Sequence, residues 1–222
     1  MKEIYFVTAN VRAEVEAIKE IKPDCLLISY FYWKRRFLDK FIKKIGYKPK
    51  ILLDSGAYSA WKQEKNISLF DYIDYIKENK DYIDEYIMLD VIGKPDITYK
   101  CYEIMKMEGL DPTPVYHHGE DVEYLEKFIE EGCDRIALGN TVPIRNKKKV
   151  AKWVNSIIKN YPNISFHLLG SSSKKVVQGC PELDSCDSST YILMAINGHP
   201  EHIKTKTGRA KYQMRKILNY LE

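Results

Sequence analysis

Several features that define large protein classes are missing from this 222-residue sequence. No apolar run approaches the ~20 residues that cross a bilayer, and the start of the chain is charged, without the apolar core of a signal peptide. The five cysteines are an odd number and form no CxxC pair, which argues against a disulfide framework. We therefore expect a cytoplasmic protein that is neither exported nor anchored in a membrane.

Glycine-rich phosphate-binding motifs are also missing. Neither GxGxxG nor GxxxxGK[ST] follows any predicted strand, which argues against dinucleotide-binding and P-loop enzymes. An excess of one charge is lacking too, because 35 Lys and Arg stand against 31 Asp and Glu, a formal net charge of +4. This small positive excess permits nucleic-acid binding but does not indicate it.

What the sequence does contain is the composition of one folded domain. It is 45% hydrophobic and 12% aromatic, and at this length about 70% of the unfolded surface can be buried. No linker rich in proline or serine divides it. We therefore predict a single domain over residues 1–222, which needs neither a metal nor disulfides for stability.

Short β-type runs alternate with amphipathic helical segments along the whole chain. The eight predicted strands are Ile4 to Thr8, Cys25 to Ser29, Ile51 to Asp54, Tyr86 to Asp90, Thr113 to His117, Arg135 to Gly139, Ser165 to Leu169 and Asp184 to Asp187. The pattern predicts an α/β fold, a compact single-domain (β/α)8 TIM barrel, with residues 207–222 as a basic closing helix. An open doubly wound sheet remains the alternative, since periodicity does not show whether the first and last strands pair.

Polar residues end several of these strands, at the face where barrel enzymes carry their chemistry. Asp54, Asp90 and Asp187 each follow apolar residues, His117–His118 end the fifth strand, and Gly139–Asn140 end the sixth. One such aspartate would be read as a helix cap, whereas three on one rim favour a shared pocket. Paired carboxylates at one mouth suit cleavage at a sugar carbon, one acting as nucleophile and the other as acid/base.

Five short segments, in order along the chain, resemble motifs of the tRNA-guanine transglycosylase superfamily. The first, Asp54 to Ser59, reads DSGAYS and is similar to the family motif DSGG[FY]Q. The others are Met88 to Asp90, Ile136 to Asn140 (similar to AxGG), His167 to Gly170 (similar to YLMG) and Ser185 to Ser188, which resembles the strand carrying the nucleophilic aspartate. Five weak matches in register on successive predicted strands are more specific than any one alone.

The resemblance implies roles for individual residues. Asp187 would be the nucleophile on the sugar C1′, Asp54 the acid/base, and Asp90 the acceptor that reads the guanine edge. The remaining base-binding residues that it implies are Ser55, Gly56, Tyr58, His118, Gly139, Asn140, Leu169 and Gly170. His118 stands where the family has a glutamine, and Leu169 where it has a methionine.

The zinc signature CxCxxC of the tRNA enzymes is absent, so we expect no metal and no other cofactor. In this the chain is similar to the short, zinc-less phage and bacterial transglycosylases that insert 7-deazaguanine bases such as preQ0 into DNA. The implied partners are DNA rather than tRNA and a free 7-deazaguanine base, in the host cytoplasm if the protein is phage-encoded. Arg209, Lys211 and Arg215 are candidate phosphate contacts, with a solvated helix face as their other interpretation.

Other functions stay open. A tRNA-guanine transglycosylase uses the same chemistry, and a nucleoside or glycoside hydrolase can use the same barrel and carboxylates. A non-catalytic accessory subunit that binds nucleic acid is the third alternative. The presence of both Asp54 and Asp187 argues against this last interpretation.

Overall fold

Eight parallel strands form the central sheet of the structure, a computed structural model that describes residues 3–221. They are β1 (Glu3–Thr8), β2 (Cys25–Ser29), β3 (Lys50–Asp54), β4 (Glu85–Tyr86), β5 (Val115–His117), β6 (Arg135–Gly139), β7 (Ser165–Leu168) and β8 (Ser185–Ser188). The order β4-β3-β2-β1-β8-β7-β6-β5 makes the first and last strands direct neighbours, with Phe6 opposite Ser188.

The sheet closes on itself between β4 and β5, the two strands at the ends of that order. Ile87 bridges Thr113 in parallel register. The Met88 N–H donates to the Thr113 carbonyl at 3.0 Å, and the Thr113 N–H donates to the Tyr86 carbonyl at 2.9 Å. The predicted (β/α)8 barrel is therefore confirmed, and the open doubly wound sheet is excluded.

Eleven helices are found within residues 3–221, and most of them follow a strand and return the chain to the start of the next one. They are α1 (Arg12–Ile21), α2 (Tyr30–Trp33), α3 (Leu38–Ile45), α4 (Ala57–Lys62), α5 (Leu69–Glu78), α6 (Pro95–Met107), α7 (Val122–Glu130), α8 (Lys147–Asn160), α9 (Lys174–Val177), α10 (Thr190–Ile196) and α11 (Lys206–Leu218). Short polar side chains start several of them, as when Ser68 Oγ accepts the Asp71 N–H at 3.2 Å ahead of α5.

The amino ends of the strands are closed by a charged network inside the barrel. Lys50 Nζ lies 3.2 Å from Glu3 Oε2 and 2.8 Å from Glu85 Oε1, and Arg135 Nε lies 2.9 Å from Glu85 Oε2. These four residues are the first residues of β3, β1, β4 and β6. The barrel is thus filled at its amino end, and its open space lies at the carboxyl end.

The predicted closing helix corresponds to α11, which packs against α1 and α10, while Glu222 lies outside the described residues. The fourth strand differs most from its prediction, since its ladder covers Glu85–Tyr86 only. Beyond it the chain bonds once to each neighbour, Ile87 to Leu53 and Met88 to Thr113. Between residues 3 and 221, no helix has the length and apolar character needed to cross a membrane.

Candidate active site

A cavity of about 630 Å³ opens at the carboxyl end of the barrel. Seven of the eight strands contribute a residue at or just after their carboxyl ends, and the segment after β4 contributes Asp90. In chain order these wall residues are Thr8, Ser29, Asp54, Asp90, His117, Gly139, Leu169 and Asp187. The predicted residues Gly56, Tyr58, Asn140 and Gly170 also line it. The three strand-end aspartates therefore share one pocket.

Asp187, at the end of β8, is held by the chain that follows β7. The Gly170 N–H donates to Asp187 Oδ1 at 2.6 Å, and the aspartate is only 6% exposed. Gly170 has φ +68°, and a Cβ there would lie 2.6 Å from Val142 Cγ2. Glycine is thus needed at position 170 to bring a backbone donor against the carboxylate.

His167 lies beneath Asp187 on the same inner face. Its Nε2 is 3.5 Å from Asp187 Oδ1, and its Nδ1 is 2.8 Å from Ser185 Oγ. Ser185 Oγ also accepts from Arg135 at 3.0 Å, so its single hydroxyl proton is free to be donated to His167 Nδ1. His167 Nε2 is buried and makes no hydrogen bond within the described residues, so it faces Asp187 at 3.5 Å without being bonded to it.

Asp54, at the end of β3, accepts the Gly56 N–H at 3.0 Å. Burial, together with the nearby carboxylates of Asp90 and Asp187, raises the pKa of Asp54 to about 8. Asp54 is thus a carboxyl group that exchanges its proton near neutral pH. This property suits a general acid/base.

Asp90 belongs to a chain of paired side chains. His117 Nε2 lies 3.0 Å from Asp90 Oδ2, and His117 Nδ1 lies 2.9 Å from Glu120 Oε1. Burial lowers the pKa of His117, but hydrogen bonds to the two carboxylates outweigh it and raise the pKa to about 9. The ring is therefore an imidazolium at neutral pH. Ser55 Oγ donates to the other oxygen, Asp90 Oδ1, at 3.3 Å, which fixes the orientation of the carboxylate.

Two further glycines allow close packing around these groups. Gly56 has φ +80°, and a Cβ there would lie 2.4 Å from Ser29 Oγ. A Cβ on Gly139 would lie 2.5 Å from His117 Cδ2, so glycine makes room for the ring that contacts Asp90. The predicted motif residues Gly56 and Gly139 thus contribute to the pocket by leaving room for neighbouring side chains.

His118 and Ser55 are not among the lining residues, although both were expected to contact the base. Because neighbouring side chains of a strand point to opposite faces, only one of His117 and His118 can face the barrel interior. His117 does, and the His118 ring packs edge-on against Trp153 at 4.9 Å. Asn140 lines the pocket, but its Nδ2 donates to the His118 carbonyl at 3.0 Å.

The three cations of α11 that were candidate phosphate contacts lie away from the cavity wall. Arg209 donates to the carbonyls of Ala195 at 2.9 Å and Ile203 at 2.8 Å. Lys211 and Arg215 both pair with Glu20, which lies at the end of α1 remote from the cavity. The phosphate role stays a prediction, and the structure gives each cation an intramolecular partner.

Glu120, His167 and Glu14 have roles that the sequence reading missed. Glu14, in α1, is 4% exposed and accepts from Thr8 Oγ1 at 3.1 Å and the Ala9 N–H at 2.9 Å, and burial raises its pKa. Period-two alternation back from the predicted pocket residue Leu169 was a usable signal for His167, whereas nothing local marks Glu14 or Glu120. Within residues 3–221, no cluster of three His, Cys, Asp or Glu is arranged to hold a metal ion.

Comparison with known proteins extends the fold assignment. No protein-family model matches the chain, and no curated protein matches it. Solved structures do match. A 4-hydroxy-2-oxoglutarate aldolase from TTHB1 has a TM-score of 0.57 at 10% identity, over 99% of this chain and 93% of its own. The BexX/CysO complex of Amycolatopsis orientalis has a TM-score of 0.61 at 13% identity, over 100% and 90%.

A carboxyl transferase domain of Rhizobium etli pyruvate carboxylase also matches, with a TM-score of 0.57 at 9% identity, over 99% of this chain and 48% of its own. At such identities the likeness concerns the barrel fold. The chemistry must therefore be argued from the residues of this site.

Proposed function

We propose that this protein is a pentosyltransferase that replaces guanine in DNA by a 7-deazaguanine base. The observation that carries the proposal is the pairing of two different aspartates in one pocket. Asp187 is held by the Gly170 N–H at 2.6 Å, and Asp54 has a pKa raised to about 8. The motif resemblance around both residues supports the same assignment.

In the proposed first half-reaction, a carboxylate oxygen of Asp187 attacks C1′ of the target nucleotide. The C1′–N9 bond breaks, and its electron pair leaves with guanine, which takes the proton held by Asp54. In the second half-reaction the incoming base gives a proton to Asp54. The deprotonated nitrogen of the incoming base forms the new bond to C1′, and Asp187 leaves as a carboxylate. A covalent intermediate keeps the strand intact while one base replaces another.

Asp90 is suited to hold both bases. Guanine presents two donors, N1–H and N2–H, and adenine lacks this pair. The contacts with His117 at 3.0 Å and Ser55 at 3.3 Å fix the carboxylate, which lines the cavity. Leu169 and Tyr58, both lining the pocket, supply apolar surface for the faces of a purine.

The test is incubation with labelled guanine or labelled preQ0, with DNA and tRNA in separate reactions, followed by nucleoside analysis. We expect label in DNA, no label with Asp187→Ala, and parental incorporation with the control Asp81→Asn, an exposed aspartate outside the cavity wall. Label in tRNA alone would contradict DNA as the substrate. Release of free guanine without incorporation would instead make the protein a hydrolase, with water as the acceptor.

A further inference from the structure

Exposed aromatic rings and lysines form a surface beside the cavity mouth, on α2, α4 and the residues after α4. We call it the α2–α4 surface and define it as Phe31, Tyr32, Tyr58, Trp61, Lys62 and Lys65. Tyr32 and Tyr58 also line the cavity, so the surface continues directly into the pocket.

Ring contacts and one hydrogen bond join these side chains into one patch. Phe31 and Tyr32 have ring centroids 5.0 Å apart, and Tyr58 and Trp61 are 6.0 Å apart with their planes inclined by 33°. Gln63 Nε2 donates to Tyr32 OH at 3.3 Å, which connects the segment after α4 to α2. The patch therefore consists of two ring pairs that are connected through Gln63.

The rings at the outer edge remain open to solvent. Trp61 is 58% exposed and Tyr32 is 46% exposed, whereas Trp33 in the same segment is fully buried. Exposing large rings sacrifices the free energy that burial would supply, and grouped exposed rings are typical of binding surfaces. These rings offer flat faces to a ligand that also has flat faces.

The charges of the patch indicate an anionic ligand. Lys62 Nζ lies 5.1 Å from the centre of the Tyr58 ring, and Lys65 Nζ lies 5.8 Å from that of Phe31. Among the described residues neither ammonium group is in an ion pair, and Glu64 is the sole acidic residue between positions 57 and 66. Lys34 and Arg35 do not belong to this patch, because they line a separate cleft with Asp71 and Asp74.

We propose that the α2–α4 surface binds single-stranded DNA and leads the target nucleotide into the cavity. Bases stack on Tyr32 and Trp61, and phosphates contact Lys62 and Lys65. Exposed rings need unstacked bases, which a single strand offers and an intact duplex does not. The claim that the surface leads the target nucleotide into the cavity rests on the proposed function. The binding of single-stranded DNA itself requires no base exchange.

The test uses fluorescence anisotropy with a labelled oligodeoxythymidylate of roughly 12 nucleotides, within the span of known single-strand sites. Thymine avoids any contribution from guanine recognition in the pocket. We expect Trp61→Ala and Tyr32→Ala each to weaken binding by about five- to 150-fold, and Trp61→Phe to restore most of it. The double variant Lys62→Ala/Lys65→Ala should lower the slope of log affinity against log salt by about 1.4. The control Lys152→Ala/Lys159→Ala, exposed lysines on α8, should leave it unchanged.

Unaltered oligodeoxythymidylate binding by Trp61→Ala and Tyr32→Ala would overturn the proposal, as would tighter binding of a matched duplex. Binding of oligouridylate with no binding of oligodeoxythymidylate would assign the surface to RNA and also overturn it. Calorimetry with free guanine separates the two proposals, since Trp61→Ala should bind guanine as the parent does. If the variants lose binding of the single strand and the parent exchanges no base, the α2–α4 surface is a binding site for single-stranded DNA and the proposed transglycosylase function is wrong.

Discussion

Asp54 and Asp187 face the same cavity, but their surroundings differ. Asp54 lies close to two other carboxylates and accepts one backbone N–H, and its pKa is raised to about 8. Asp187 accepts the short Gly170 N–H bond and has His167 beneath it. The first arrangement is the one that the proposed acid/base role requires, and the second is the one that the proposed nucleophile requires.

The raised pKa of Asp54 predicts how stability depends on pH. Its contribution is fully present below the ordinary pKa of ~3.9 and is lost as the pH rises through about 8, because only the folded state keeps the proton. Urea unfolding of the parent should therefore show a loss on the order of a few kcal/mol between about pH 5 and about pH 9. Asp54→Asn should make this slope shallower.

His117, whose pKa is raised to about 9, contributes a slope of the same sign. The comparison of Asp54→Asn with the parent, rather than the parental slope alone, therefore isolates Asp54. Parallel pH profiles for the two proteins would show that Asp54 has an ordinary pKa. They would remove the physical basis for its role as acid/base.

Asp90→Asn tests the proposed reading of the guanine edge. The substitution keeps the shape but turns an acceptor into a donor that faces the donors of the purine, a mismatch of roughly 1–3 kcal/mol. We expect about ten- to a hundredfold weaker binding of both guanine and the incoming 7-deazaguanine in calorimetry. Parental affinity for both bases would show that Asp90 does not contact them.

The turn between β3 and α4 carries much of the local geometry of the pocket. Gly56 has φ +80°, and a Cβ there would lie 2.4 Å from Ser29 Oγ, whereas Gly46, at the end of α3, has the same φ with open space around it. Gly46→Ala should cost about 1 kcal/mol from backbone strain alone, and Gly56→Ala about 1–3 kcal/mol more from overpacking. Urea denaturation of both variants measures the difference. Equal losses would mean that the turn tolerates a side chain.

The elements themselves were largely predictable from the sequence. Short β-type runs located all eight strands, most of them to within about two residues of the observed bounds. The fourth strand was predicted too long. Residues 87–88 make one backbone hydrogen bond to each neighbouring strand segment, and an apolar run does not show where regular strand pairing ends. The motif alignment pointed to His118 for base contact. The alternation of side chains along β5 places His117, not His118, inside the barrel.

Barrel closure is a property of the whole molecule that periodicity left open. It depends on the pairing of β1 with β8 and on the bridge between Ile87 and Thr113, contacts between segments far apart in sequence or joined by a helix. The same holds for Glu14 and Glu120, because nothing in their local sequence shows which pocket residues they contact. Local patterns predicted that the three strand-end aspartates share a pocket, but not which side chains would contact each of them.

The network at the amino end of the barrel should hold the strands together. Glu85 contacts both Lys50, at 2.8 Å, and Arg135, at 2.9 Å. Because these side chains are largely shielded from solvent, Glu85→Gln should cost about 1–3 kcal/mol of unfolding free energy. The matched control is Glu108→Gln, which removes the exposed pair with Lys77 and should cost about 0–1 kcal/mol. Similar losses in both would show that the network adds nothing beyond a surface pair.

The central claim is that Asp187 forms a covalent bond to the sugar of its substrate, and trapping that intermediate tests it most directly. Parent protein is incubated with guanine-containing DNA and no acceptor base, denatured, digested and analysed by mass spectrometry. We expect a DNA adduct on the peptide that contains Asp187, with none from Asp187→Ala and a parental yield from Asp81→Asn. Guanine release by the parent without any adduct, or an adduct that persists in Asp187→Ala, would contradict it.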